Sequence, residues 1–196
     1  MRVVRRHAPP TVAAIVFALG FAVGLAGDAC HVASGTTHYD WGGVPILWRS
    51  AIWFPFLVGS AVLAAAWGAE RAGLPAARRR TPTDVLAGAG VVLALYALTA
   101  ALRHQPVTVS VVLTGSIAAA VLTWWEPSPR GLVTATVAAA AGPAAEIAIV
   151  HAGAAHYAAG SDGLFGVAPW LPCLYFAAGA VASTLWSALS RDPTPV

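Results

Sequence analysis

Between Thr11 and Leu189 the chain passes six times through an apolar stretch and a short polar break. No other feature narrows its fold so far. About 20 helical residues, rising about 1.5 Å each, cross the roughly 30 Å hydrocarbon core of a bilayer. In that solvent only helices and closed barrels satisfy every backbone N–H and C=O internally. The stretches predict spans at Thr11–Ala29, Ser50–Trp67, Asp84–Leu102, Pro106–Trp124, Gly131–Val150 and Trp170–Leu189. The fold class is therefore an all-α integral membrane protein, a six-transmembrane-helix bundle forming one domain over residues 1–196.

Composition agrees. With 58% hydrophobic and 10% charged residues, the chain departs from ordinary soluble domains, in which about 25% are charged. The net charge of +3 would point a soluble protein toward nucleic acid. Here the arginines flank apolar runs, so lipid phosphates are their partners and no nucleic-acid role follows. Lysine is absent and alanine abundant, the coding bias of a GC-rich bacterium, which places the protein in a bacterial plasma membrane.

The arginines also set orientation. Arg2, Arg5, Arg6, Arg71, Arg78, Arg79, Arg80, Arg130 and Arg191 fall in breaks on one side, and Arg49 and Arg103 on the other. Basic loops stay inside, so both termini are expected to be cytoplasmic. Trp41, Trp48, Trp53, Trp67, Trp124, Trp125 and Trp170 sit near span ends, and Trp186 one turn from the last one, as interfacial indoles do. Arg2, Arg5 and Arg6 precede an apolar run as in a signal peptide, but five further spans read it as a retained first helix. Cys30 and Cys173 are read as two independent thiols, both near the outer face where a bridge would survive.

Small residues at four-residue spacing, Gly20 and Gly24 in span one and Gly179, Ser183 and Ser187 in span six, mark close helix contacts. Pro143 lies mid-span and should kink the fifth helix. Glu146 stands one turn beyond it as the ionisable residue well inside a span. An intramembrane carboxylate is costly and faces a partner or a cavity. Three roles stay open for it: a protonated group bonded to a neighbouring helix, an anchor for a ligand head, or a proton-coupled transport site. His31, His38, His104, His151 and His156 fall in outward loops or span ends with Asp28, Asp40 and Asp162. They are read as solvated, since no pair has the i, i+3 or i, i+4 spacing within a predicted span that a helical metal site needs, and no metal is assigned. No nucleophile elbow, phosphate loop or His-Glu-x-x-His motif occurs. Ser110, Thr114 and Ser116 can bond their own helix carbonyls or offer hydroxyls to a lipid head.

Span six opens Trp170-Leu171-Pro172-Cys173 and runs through Tyr175-Phe176 into Ala177-Ala178-Gly179. This resembles the last transmembrane helix of the Insig (insulin-induced gene) proteins. Trp124-Trp125 at the end of span four, and Trp53-Phe54-Pro55-Phe56 followed by Gly59-Ser60 in span two, resemble further elements of that family. The resemblance implies a six-span, non-enzymatic regulatory protein with both termini cytosolic, which in animals binds oxysterols and retains the sterol-sensing protein Scap. Glu126, after the tryptophan pair, stands at a displaced position relative to the acidic residue the animal family uses for its partner, and the loop here is shorter and proline-rich.

The leading expectation is a lipid-binding and sensing protein without a cofactor. It would hold a neutral, hydroxyl-bearing lipid, sterol-like or diacylglycerol-like, in an intramembrane cleft. The expected lining is Trp53, Phe54, Ser60, Tyr96, Thr114, Ser116, Glu146, Pro172 and Tyr175. Partners would be that lipid, a further polytopic membrane protein and a second copy of the chain. Two rivals are a small proton- or cation-coupled carrier using Glu146 and a metal-dependent intramembrane enzyme using the outward histidines.

Overall fold

A computed structural model describes residues 10–40 and 50–190. Arg2, Arg5, Arg6, Trp41, Trp48, Arg49 and Arg191 lie outside the described residues. Six helices, each long and apolar enough to cross a membrane, follow one another: α1 (Pro10–Ser34), α2 (Trp53–Arg71), α3 (Pro82–Ala101), α4 (Val107–Trp125), α5 (Pro129–His151) and α6 (Leu171–Leu189). They coincide with the six expected spans, with one consequential difference. The first helix continues past Ala29 for more than a turn and carries Asp28 and His31 inside it.

Local signals explain the ends. At α3, Thr81 and Asp84 exchange side-chain and backbone bonds in a capping box, with Pro82 in the first turn. At α5, Ser128 Oγ accepts from the Gly131 N–H and Pro129 opens the helix. Pro172 occupies the first turn of α6, where the missing N–H costs nothing. The helix α5 runs unbroken through Pro143.

The last helix in sequence is the central one in space. α6 packs against each of the other five helices, and Leu171, Leu174, Ala177, Ala180, Val181, Ala182, Leu185 and Trp186 are buried along it. Trp186 and Trp170 therefore belong to the core, 7% and 3% exposed, where the sequence placed interfacial residues. Trp67 and Trp124 remain exposed as expected. The small-residue stripes work as close contacts: a Cβ on Gly24 would meet Val58 of α2 at 2.7 Å, and one on Gly179 would meet Ala138 of α5 at 2.7 Å.

The loops separate onto two faces. The α1–α2 and α5–α6 connections meet in a two-stranded antiparallel ribbon, β1 (Thr37–Tyr39) with β2 (Ala155–Tyr157). Arg103 of the α3–α4 connection donates to Gly35 O at 2.7 Å on that same face. On the opposite face, the α2–α3 and α4–α5 connections interlock. Glu126 is completely buried, and its Oε1 accepts from Ala77 N at 2.6 Å and Ser128 Oγ at 2.5 Å. Arg80 stacks 4.2 Å above the Trp125 ring and donates to the Trp124 carbonyl at 3.2 Å and to that of Trp125. Glu126 thus ties two loops together and is not displayed to a partner.

Arg130, read from sequence as a loop charge marking topology, is 5% exposed in the first turn of α5. Its Nε donates to Ser183 O of α6 at 2.8 Å and its Nη2 pairs with Glu70 of α2 at 2.9 Å. The fork geometry of guanidinium lets one side chain bind two helices at once.

Candidate functional site

Beneath the ribbon the bundle forms a small chamber with several polar side chains in its walls, although most of its open surface is apolar. Its walls come from α1 (Asp28, His31), the ribbon (Thr37, Tyr39, Ala155, Tyr157), α2 (Trp53, Phe54), α3 (Tyr96), α5 (Glu146, Ile149, Val150) and α6 (Leu171). Two carboxylates face it from different helices, each held by phenols. Glu146 Oε1 accepts from the Tyr175 hydroxyl at 2.6 Å, and its Oε2 accepts from Tyr157. Asp28 Oδ2 accepts from the Tyr39 hydroxyl at 2.8 Å and from Ser50 Oγ. The chain has four tyrosines, and all four stand on or beside this chamber. The fourth, Tyr96, is buried and packs 5.2 Å from the His31 ring.

The ribbon's pleat explains how short loops reach so far inward. Successive strand residues face opposite sides, so Tyr39 and Tyr157 turn inward while His38 and His156, opposite each other in register, turn outward. Burial pushes the Tyr39 phenol well above its ordinary value, and the adjacent Asp28 carboxylate adds to it. Burial does the same to Tyr157, with Glu146 adding to it. Both phenols consequently stay protonated and remain donors. Thr99 Oγ1 donates to its own helix carbonyls, Leu95 O and Tyr96 O, each at 3.0 Å. His31 Nε2 lies 2.8 Å from the same hydroxyl and is hydrogen-bonded to it.

Two glycines permit the approach of the rings. A Cβ on Gly142 would lie 2.4 Å from the Tyr175 ring, and one on Gly27 would lie 2.4 Å from Tyr96. Residues with side chains at either place would push the phenols off their positions.

The chamber is a void of about 20 Å³, room for about one water. Against it lies an open apolar groove of about 340 Å³, lined by Ala148, Ile149, Ala152 and Ala154 on one side and Trp53 on the other. Trp53 and Ile149 line both spaces and form the partition between them.

Of the residues expected from sequence, Trp53, Phe54, Tyr96 and Glu146 come together here, with Tyr175 bonded to Glu146. Ser60 and Ser116 are exposed on outward helix faces, and Pro172 is half-buried next to Leu171; none of the three lines the chamber. Thr114 is buried on α4 with its hydroxyl unpartnered, also away from the chamber. Sequence reasoning missed Asp28, His31, Ser50, Tyr39 and Tyr157. His31 was expected in solvent and is 3% exposed. The available signal was the His-Tyr pair repeated at 38–39 and 156–157 in two outward loops. Among the described residues no three histidine, cysteine or carboxylate side chains converge as a ready-made metal cage. Cys30 and Cys173 are unbridged.

Six helices of membrane-spanning length, with a small chamber under their loops beside an apolar groove, define an integral membrane protein of the helical-bundle class. The chain belongs to the Insig family. It is 42% identical over 184 residues to the INSIG protein homolog of Mycolicibacterium vanbaalenii, covering 92% of this chain and 88% of that one. Crystal structures of MvINS, a mycobacterial Insig homolog from Mycobacterium vanbaalenii, match it with a TM-score of 0.89 at 39% identity over 96% of this chain and all of theirs; one of them is a cross-linked trimer. No protein-family model matches the chain.

Proposed function

We propose that the protein is a non-enzymatic lipid sensor that holds a neutral, hydroxyl-bearing lipid with its body in the α2–α5 groove and its hydroxyl in the chamber. The observation that carries this reading is the shared partition: Trp53 and Ile149 border both a water-sized void walled in part by Asp28 and Glu146 and a wide apolar groove. A hydroxyl takes the place of one water, whereas a phosphate does not fit a void of about 20 Å³. In a bilayer the competitor is the surrounding lipid, so apolar area does not discriminate; the head contacts must. Asp28 and Glu146 supply acceptors, already oriented by Tyr39, Tyr157 and Tyr175. Sterol-like and diacylglycerol-like molecules share this chemistry of one hydroxyl on a large apolar body.

The same reading places both termini in the cytoplasm of a bacterial plasma membrane. Among the described residues, Arg71, Arg78, Arg79, Arg80 and Arg130 lie toward the interlocked-loop face and Arg103 toward the ribbon face, which supports that orientation. The cross-linked trimer among its relatives supports a homotrimer. The regulated partner would be another membrane protein.

The test is mass spectrometry of lipids that co-purify with the protein in mild detergent. One dominant neutral hydroxyl-bearing lipid, depleted by Ile149→Trp, is the expected result. A profile matching bulk membrane lipid overturns the sensor. Ion or proton flux in proteoliposomes abolished by Glu146→Gln would instead establish the carrier.

A further inference from the structure

The outward face of the ribbon carries chemistry that the chamber does not use. His38 and His156 are direct cross-strand partners, and their rings stack 5.0 Å apart at an interplanar angle of 19°. Asp40 lies on the same face, one diagonal step along. Its Oδ2 is 2.7 Å from His156 Nδ1. Both imidazoles are exposed, with the His156 side chain 52% accessible.

We propose that His38 and His156 form a surface site for a late first-row divalent cation of the zinc type, with Asp40 as its supporting carboxylate. The argument begins with tautomer. Asp40 accepts the Nδ1–H of His156, which leaves Nε2 with its lone pair outward. This is how carboxylates orient metal-binding histidines and raise their basicity. His38 stands directly opposite on a backbone pairing that already holds the two Cα atoms at close range. Small turns of two exposed rings bring one nitrogen from each to the 2.0–2.1 Å that zinc requires. Imidazole suits zinc, copper and nickel but not magnesium or calcium. Water fills the remaining positions, so two protein ligands suffice for a surface site.

The placement gives the ion a consequence. Tyr39 and Tyr157 hang from the inner side of these same strands. An ion that joins residue 38 to residue 156 therefore also fixes the two donors over the chamber. This second consequence rests on the lipid reading above; the binding itself does not.

The experiment is calorimetric titration of tag-free, detergent-purified protein with Zn²⁺ alone. One site per chain is expected, absent in His38→Ala and in His156→Ala, unchanged in His104→Ala and His151→Ala, and weakened about tenfold in Asp40→Asn. As a readout on unmodified protein, Zn²⁺ should raise the midpoint of thermal unfolding, EDTA should reverse the rise and Mg²⁺ should not reproduce it. Titrations that are the same in the unmodified protein and the His38→Ala/His156→Ala double variant would overturn the site. Zinc binding without any change in co-purifying lipid would retain the metal site and remove only its coupling to the chamber.

Discussion

The Tyr39 hydroxyl donates to Asp28 Oδ2 at 2.8 Å, joining the short ribbon to the last turns of the first span. Its counterpart on the second strand, Tyr157, donates to Glu146 of the fifth span. Two loops that read as polar connections thus organise two intramembrane carboxylates. Removing either donor leaves a buried carboxylate short of one hydrogen bond: Asp28 Oδ2 keeps only Ser50 Oγ, and Glu146 keeps only the Tyr175 bond to its other oxygen.

Tyr39→Phe keeps the ring and deletes the bond, leaving Asp28 with Ser50. Unfolding in detergent should move to lower temperature by the equivalent of about 1–3 kcal/mol, the cost of an unsatisfied buried group. Tyr39→Phe combined with Ser50→Ala should cost more than the sum of the two single changes, because each alone leaves one donor behind. Equal costs added without excess would show that water takes over the role.

Gly142→Ala inserts a methyl 2.4 Å from the Tyr175 ring. The ring has to leave Glu146, at a cost of about 1–3 kcal/mol in overpacking. Co-purifying lipid should fall in the same variant. Gly153→Ala is not a suitable control, because Gly153 has a φ of +71° and would be strained for another reason. Gly68→Ala meets nothing within 4 Å and should leave stability and lipid unchanged.

Arg130→Ala removes the bonds to Ser183 O and Glu70 together and should destabilise the bundle by about 2–3 kcal/mol. Arg130→Lys should recover less than half of this, since an ammonium lacks the fork that reaches both acceptors. Glu70→Gln should cost less than Arg130→Ala, because Glu70 is 44% accessible and water replaces part of what is lost. Thermal denaturation of the three variants in one detergent decides the order.

Tyr39 and Tyr157 are held above the ordinary phenol range near pH 10 by burial, with a nearby carboxylate adding to the shift. A group raised in the folded state stabilises it fully below its unfolded value, and that contribution fades as pH climbs toward the folded value. Stability should therefore be flat in these groups below about pH 9 and decline above about pH 10. Absorbance near 295 nm should show their ionisation only together with unfolding. Non-cooperative ionisation of all tyrosines near pH 10 in folded protein would contradict the burial.

The spans were legible because a bilayer imposes one rule on every residue at a given depth: apolar side chains in helices of fixed length. Six segments of that length, separated by capping and breaking residues such as Thr81, Pro129 and Pro172, leave little freedom in secondary structure. Sequence also singled out Glu146, Trp53, Phe54, Tyr96 and Tyr175. It did so through chemistry that is unusual in hydrocarbon, and through the likeness of span six to a known family. Charge alone misled at Arg130. A single arginine beside a span has the same appearance whether it touches headgroups or crosses to Glu70.

What only the tertiary structure decided is which residues meet. Nothing local makes the sixth span central or sends Trp186 into the core. Those outcomes depend on five other helices competing for the same surface. Nothing local aligns Thr37–Tyr39 with Ala155–Tyr157, more than a hundred residues apart, yet that register turns Tyr39 and Tyr157 inward and His38 and His156 outward. A one-residue slip would reverse every one of those faces. The sequence by itself determined the solvent, the number of spans and the family. The chamber arises from pairwise fits such as Gly27 with Tyr96 and Gly142 with Tyr175, and such fits exist only once the helices have been brought together.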